Sequence, residues 1–157
     1  MMSKFVNILL LSICLLIIGS IISFIYANND SLIYYQNGKK EYISNDKMPK
    51  VLERIDALTT GIDDVLKLIV LEDTIDELKS EKCFEVILSK PREVKANDFS
   101  KQSFTYQRFL IPLCDGDTCS KNTAVFYFGN RNTYFSPPFI NTKGGKYRDE
   151  IRKIIGK

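Results

Sequence analysis

The sequence predicts an α+β fold behind an apolar leader, and three observations carry that expectation. An unbroken apolar run occupies the N-terminus, an amphipathic stripe at helical spacing fills the middle, and the second half consists of short β-branched and aromatic runs. In full, the reading is a hydrophobic leader or anchor helix, a β-hairpin, a long amphipathic helix packed on a mainly antiparallel sheet, and a short C-terminal helix.

Lys4 is the sole charged side chain before an apolar run from Ile8 to Ile25. A bilayer core needs roughly 20 apolar residues in a helix, and residues 5–27 reach that length. Ile25-Tyr26-Ala27 followed by Asn28-Asn29-Asp30 also has the form of a small-residue cleavage site before a polar mature terminus. Two readings therefore stand: a retained anchor, or a signal peptide cut after Ala27. Both divide the chain into a leader, 1–27, and one extracytoplasmic domain, 28–157, because Lys4 and the terminal amine favour the cytoplasmic side. A lipoprotein leader fits poorly, since the bulky Ile13 precedes Cys14. The predicted location is periplasmic, cell-surface or secreted, with a membrane contact through residues 5–27 if they are retained.

The mature part opens on Asn37-Gly38 between Leu32–Gln36 and Lys39–Ile43, the dipeptide suited to a two-residue type I′ hairpin. Val51, Leu52, Ile55, Leu58, Ile62, Val65, Leu66 and Ile69 then recur at steps of three and four. That spacing predicts an amphipathic helix, or two helices with a break near Leu71 to Thr74, with Pro49 in the first turn. Positions 51, 55, 58, 62, 65 and 69 also match a heptad seam, but one too short for a coiled coil, so packing on the chain's own core is the plainer use.

Strands are expected at Cys83–Leu88, where Pro91 ends the pattern, at Ser103–Leu113, at Asn122–Phe128 and over Thr133–Phe135. A closing helix is expected from Lys146 to Ile155 after Gly144-Gly145. Strand runs without interleaved helices imply antiparallel pairing.

The 4 cysteines divide unevenly, with Cys14 in the leader and Cys83, Cys114 and Cys119 beyond it. In an exported domain Cys114 and Cys119, bracketing Asp115-Gly116-Asp117-Thr118, suit a disulfide across a hairpin tip. Cys83 is then either a buried small hydrophobe or a partner for one of them. The four-residue spacing differs from the Cys-x-x-Cys pair of thiol oxidoreductases. With no histidine in the chain, the usual general base and the commonest metal ligand are both missing. Three mature cysteines fall short of a structural zinc site, and Asp-Gly-Asp lacks the remaining ligands of a calcium loop. Neither metal nor cofactor is expected.

Residues 46–81 hold ten acids and five bases, a net of −5, whereas 82–157 hold seven acids and fourteen bases, a net of +7. The plain reading is attraction between an acidic helix and a basic sheet. The functional one is a basic surface, including Lys121, Arg131, Lys143, Lys146, Arg148, Arg152 and Lys153, facing an anionic membrane or an acidic partner. Export makes nucleic acid an unfit partner. The aromatic, proline-punctuated segment 131–141 is either a contact loop or a plug for the sheet, and Arg131, Tyr134 and Phe139 are its candidate partner-binding residues.

These features predict a non-catalytic binding module, of the inhibitor or immunity type, that meets a protein partner outside the cytoplasm. The alternative is a structural, oligomeric component of a cell-envelope assembly. A third class is a carboxylate- or thiol-dependent enzyme, for which Glu85 and Cys83 are the candidates.

Overall fold

The computed structural model describes residues 29–95, 97–99, 101–113 and 120–157. The leader, its cleavage point after Ala27, and both Cys114 and Cys119 lie outside the described residues. Among the described residues no helix is long and apolar enough to cross a membrane.

Asn37 and Gly38 take the positive φ angles, 52° and 72°, that close a two-residue hairpin between β1 (Ser31–Gln36) and β2 (Lys39–Ile43). Gln36 faces Lys39 across that turn, the register a type I′ connection imposes. A 3-10 turn at Asn45–Lys47 leads into α1 (Met48–Thr60), where Pro49 sits in the first turn.

The long helix does not form. After Leu58 the chain presents Thr59 and Thr60, both of which turn their hydroxyls back to the Asp56 carbonyl at 2.9 Å, followed by Gly61. β-branched residues and glycine weaken the helix at that point, and the next residues gain a better alternative. β3 (Asp64–Val65) pairs with β7 (Phe139–Asn141), and the Leu66 amide donates to the Pro138 carbonyl. A second helix, α2 (Glu72–Ser80), follows an extended strap over 66–71. The supposed seam is therefore divided. Val51, Ile55 and Leu58 are wholly buried in the chain's own core, whereas Leu66 and Ile69 lie on the surface.

β4 (Lys82–Val94) is longer than expected because it runs through Pro91 rather than stopping before it. Its pairing with β5 (Phe104–Pro112) shifts register between Ile87 and Arg92, and such a bulge removes the need for a proline N–H. β6 (Ala124–Gly129) forms as expected, but Thr133–Phe135 does not become a strand. Tyr134 makes only an isolated bridge to Gly129, and the next strand, β7, starts after the prolines. The chain closes with α3 (Gly145–Ile155).

Among the described residues the result is α+β: one antiparallel seven-stranded sheet in the order β2-β1-β4-β5-β6-β7-β3, with three α-helices. Strand alternation gives it two different faces. On one, Leu32, Phe84, Val86, Phe109, Ile111 and Phe126 are wholly buried beneath α1 and α3, which lie side by side and share an Arg54–Glu150 ion pair of 3.2 Å. Phe126, Phe128 and Phe139 interlock edge-on and stacked within this layer. Truncating a core ring of that kind costs about 3–5 kcal/mol. The other face carries Ile33, Tyr35, Cys83, Leu110 and Tyr127, and the nine residues of α2 cover it through Ile75 and Leu78.

Candidate functional site

Alternation along β4 turns Cys83 and Glu85 toward the α2 side while Phe84 and Val86 point into the main core. Glu85 thus places a carboxylate between two apolar neighbours, opposite Ile33 of β1 and Leu110 of β5. Its side chain is 1% exposed. Such burial is tolerable only with charge and hydrogen bonds to match, and three elements supply them. The Tyr35 hydroxyl donates to Oε2 at 2.7 Å, the Tyr134 hydroxyl donates to Oε1 at 2.5 Å, and Lys79 Nζ reaches both oxygens from α2 at 3.0 and 3.1 Å.

Burial alone would push the Glu85 pKa up. The charge of Lys79 and the hydrogen bonds from Tyr134, Tyr35 and Lys79 overcome that and hold it below the ordinary carboxylate value. Both tyrosines move the other way, raised by burial and by the Glu85 charge. The Lys79 ammonium also stands 5.0 Å above the Tyr35 ring and 5.9 Å from that of Tyr134. Cys83 is a free, buried thiol, and burial pushes it up to about 12.

This arrangement favours fastening over chemistry. A general base needs an open lone pair and a pKa near the working pH, whereas each Glu85 oxygen is engaged and its pKa is depressed. A nucleophilic thiol needs a lowered pKa and access, and Cys83 has the opposite of both. Among the described residues no group of three or more His, Cys, Asp or Glu side chains is placed to hold a metal.

Beside the cluster lies a cavity of about 280 Å³ between α2, the end of the strap and the 130–134 turn. Leu71, Ile75, Lys79, Arg108, Thr133 and Tyr134 are among its walls. Gly129 makes it possible. A Cβ there would meet the Thr133 carbonyl oxygen at 2.4 Å, so glycine lets the turn fold back over β6, bringing Tyr134 within 5.9 Å of the Arg108 guanidinium.

The strap carries most of the exposed large hydrophobic side chains among the described residues. Among the described residues the exposed large hydrophobic side chains are Tyr42, Leu66, Leu68, Ile69, Leu71 and Phe99, and four of the six fall within 66–71. Ile69 is 73% and Leu71 60% exposed. Hydrogen bonds hold the strap at its ends, from Leu66 N–H to Pro138 and from Val70 N–H to the Ser136 hydroxyl.

The residues expected to meet a partner separate in space. Arg131 is exposed on the turn, Tyr134 is half-buried with its hydroxyl on Glu85, and Phe139 stacks on Phe104 within the core layer. Arg148, counted above with the basic surface, is buried and donates to the Ser120 and Thr123 carbonyls. Lys79, Tyr35 and Arg108 were not foreseen as site residues. The available signal was Glu85 itself, a charge at an inward position of an otherwise apolar strand, which requires partners. Searches of family models, curated proteins and solved structures find no match to this chain.

Proposed function

We propose that this chain is a non-catalytic protein-recognition domain, of the inhibitor or immunity type, that works outside the cytoplasm and meets its partner through the 66–71 strap. The observation that carries the reading is the concentration of exposed Leu66, Leu68, Ile69 and Leu71 in one six-residue stretch. Single scattered surface hydrophobics are ordinary, whereas four on one six-residue exposed segment are the kind of concentration that a contact site uses. The edge strand β3 continues into the strap, so it also offers main-chain groups beside the apolar row. The extracytoplasmic setting rests on the apolar run of residues 5–27.

A photo-crosslinking residue at position 69 of the full chain, expressed in the producing cells, tests this directly. One dominant adduct with a different protein is expected, lost when Leu68 and Leu71 are both changed to Ser and absent when the probe sits at exposed Glu53. Adducts with a second copy of the chain would favour the envelope-assembly alternative. Labelling of lipid alone, or of nothing, would refute protein recognition by the strap.

A further inference from the structure

We propose that the cavity between α2 and the 130–134 turn binds a single carboxylate on a short apolar stem, held by Arg108. The source we assign to it, an acidic side chain of the protein docked on the strap, rests on the recognition reading above.

Arg108 lies on β5 opposite Gly129, where the partner strand offers no side chain. Arg108 is among the residues lining the cavity, its guanidinium stands 5.9 Å from the Tyr134 ring centre, and its Nε is buried with no hydrogen-bond partner among the described residues. A buried donor left unpaired is costly, and an acceptor that draws the half-buried guanidinium toward the cavity relieves that cost. Carboxylate is the strongest match, because a guanidinium presents paired N–H groups at the spacing of its two oxygens.

The other charges narrow the choice. Lys79 is already spent on Glu85. Glu72 and Asp76 also line the cavity, but both are exposed, so water screens them and they weaken a monoanion little while opposing a dianion more. Val70, Leu71 and Ile75 form the facing apolar wall, which suits a methylene stem. At about 280 Å³ the cavity falls just under the range of small-molecule sites, about 300–1,000 Å³. It has the capacity of one side chain, and its Val70 and Leu71 wall is continuous with the strap.

Butyrate, which has the stem and carboxylate of a glutamate side chain, is the probe. Titrated into the ¹⁵N-labelled full chain in detergent to about 100 mM, it is expected to shift the Arg108 Nε–H resonance saturably. Butyramide at equal concentration should leave that resonance in place, and methyl phosphate should bind at least about ten-fold more weakly. Arg108→Gln removes the response. If that variant does not fold, the wild-type resonance still decides, since the native side chain reports on itself. A resonance that ignores butyrate, or answers butyramide equally, overturns the proposal.

The source is read from the position-69 crosslink. A ten-fold drop in its yield in Arg108→Gln supports an acidic side chain of the partner. A butyrate response without any protein adduct supports the carboxylate site, makes a free acid its source, and sinks the recognition reading. An adduct with a silent Arg108 resonance keeps recognition and overturns the carboxylate site.

Discussion

Lys79 Nζ straddles the Glu85 carboxylate, 3.1 Å from Oε1 and 3.0 Å from Oε2, and so pins α2 to the centre of the sheet by a buried ion pair. Tyr35 and Tyr134 occupy the same two oxygens from β1 and from the 130–134 turn. Three stretches distant in sequence, β1, the successive α2 and β4, and the 130–134 turn, thus converge on one carboxyl group. A nine-residue helix has little stability of its own, and Ile75 is its single fully buried residue. This contact therefore adds a polar fastening for α2, one wall of the cavity, to the apolar one made by Ile75 and Leu78.

Removing one member should therefore cost more than removing both. Glu85→Leu leaves Lys79 and two tyrosine hydroxyls without their acceptor and is expected to destabilise the domain by about 3–5 kcal/mol. Lys79→Met leaves a buried carboxylate and should cost a comparable amount. The pair Glu85→Leu with Lys79→Met replaces charge by apolar volume and should recover the part of the loss that comes from an unpaired charge, leaving the part that comes from the two tyrosine hydroxyls. Urea unfolding of the four proteins measures the coupling. Strictly additive single losses would show that the pair does not act as a unit.

Acid should reveal the same carboxylate. The folded-state pKa of Glu85 lies below its unfolded value, which is about 4.3. Its contribution is fully present above that value and is lost as pH falls through the folded pKa. The stability difference between wild type and Glu85→Gln should stay constant from neutral pH down to about 5 and shrink progressively below it. A difference independent of pH down to the acid transition would mean that Glu85 titrates alike in the folded and unfolded chain.

Cys83 should resist modification until the sheet opens. Its thiol, buried and pushed up from 9.0 to about 12, carries about a thousand-fold less thiolate at neutral pH than an unperturbed one. Iodoacetamide labelling, followed on the Cys83 peptide by mass spectrometry, should be negligible in buffer and rapid in urea. Cys83→Ala should keep the fold at a cost of about 1 kcal/mol, the scale of a small buried truncation. Rapid native labelling would place Cys83 in a reactive setting.

Local signals were legible in the sequence where one interaction dominated. Asn37-Gly38 specified its hairpin because few other residues accept two positive φ angles. Strand identity in the second half followed from β-branched and aromatic runs, whose alternation matches a two-faced sheet. The stripe over 51–69 misled because period alone cannot distinguish a helix from a helix followed by an edge strand and a strap. What ends α1 at Thr60 is a competing pairing with β7, some 75 residues away, and no window on 51–69 contains it. The Glu85 cluster was half legible: an acid inside an apolar strand calls for partners, but Lys79 read as one charge among many on a solvated helix. Its role appears only once the antiparallel order brings β1 and β4 together beneath α2.

Gly145→Ala opposes helix propensity to sterics, and sterics should prevail. Gly145 is the first residue of α3, where alanine would ordinarily add up to about 1 kcal/mol of helix stability. Its amide, however, donates to the Asn122 carbonyl at 2.7 Å, drawing the helix start against the 121–122 backbone. A Cβ there would stand 1.9 Å from the Lys121 carbonyl oxygen and 2.8 Å from its carbon, and main chain cannot rotate aside as a side chain would. The helix must shift or Lys121 must move, at a cost typical of overpacking, about 1–3 kcal/mol. Gly38→Ala is the contrasting control: no atom lies within 4 Å of a Cβ there, so its loss comes from the positive φ of 72° alone and should stay near 1 kcal/mol. Thermal midpoints of the two variants give the comparison. A Gly145→Ala protein as stable as wild type would mean that α3 does not press on the 121–122 backbone as closely as these distances require.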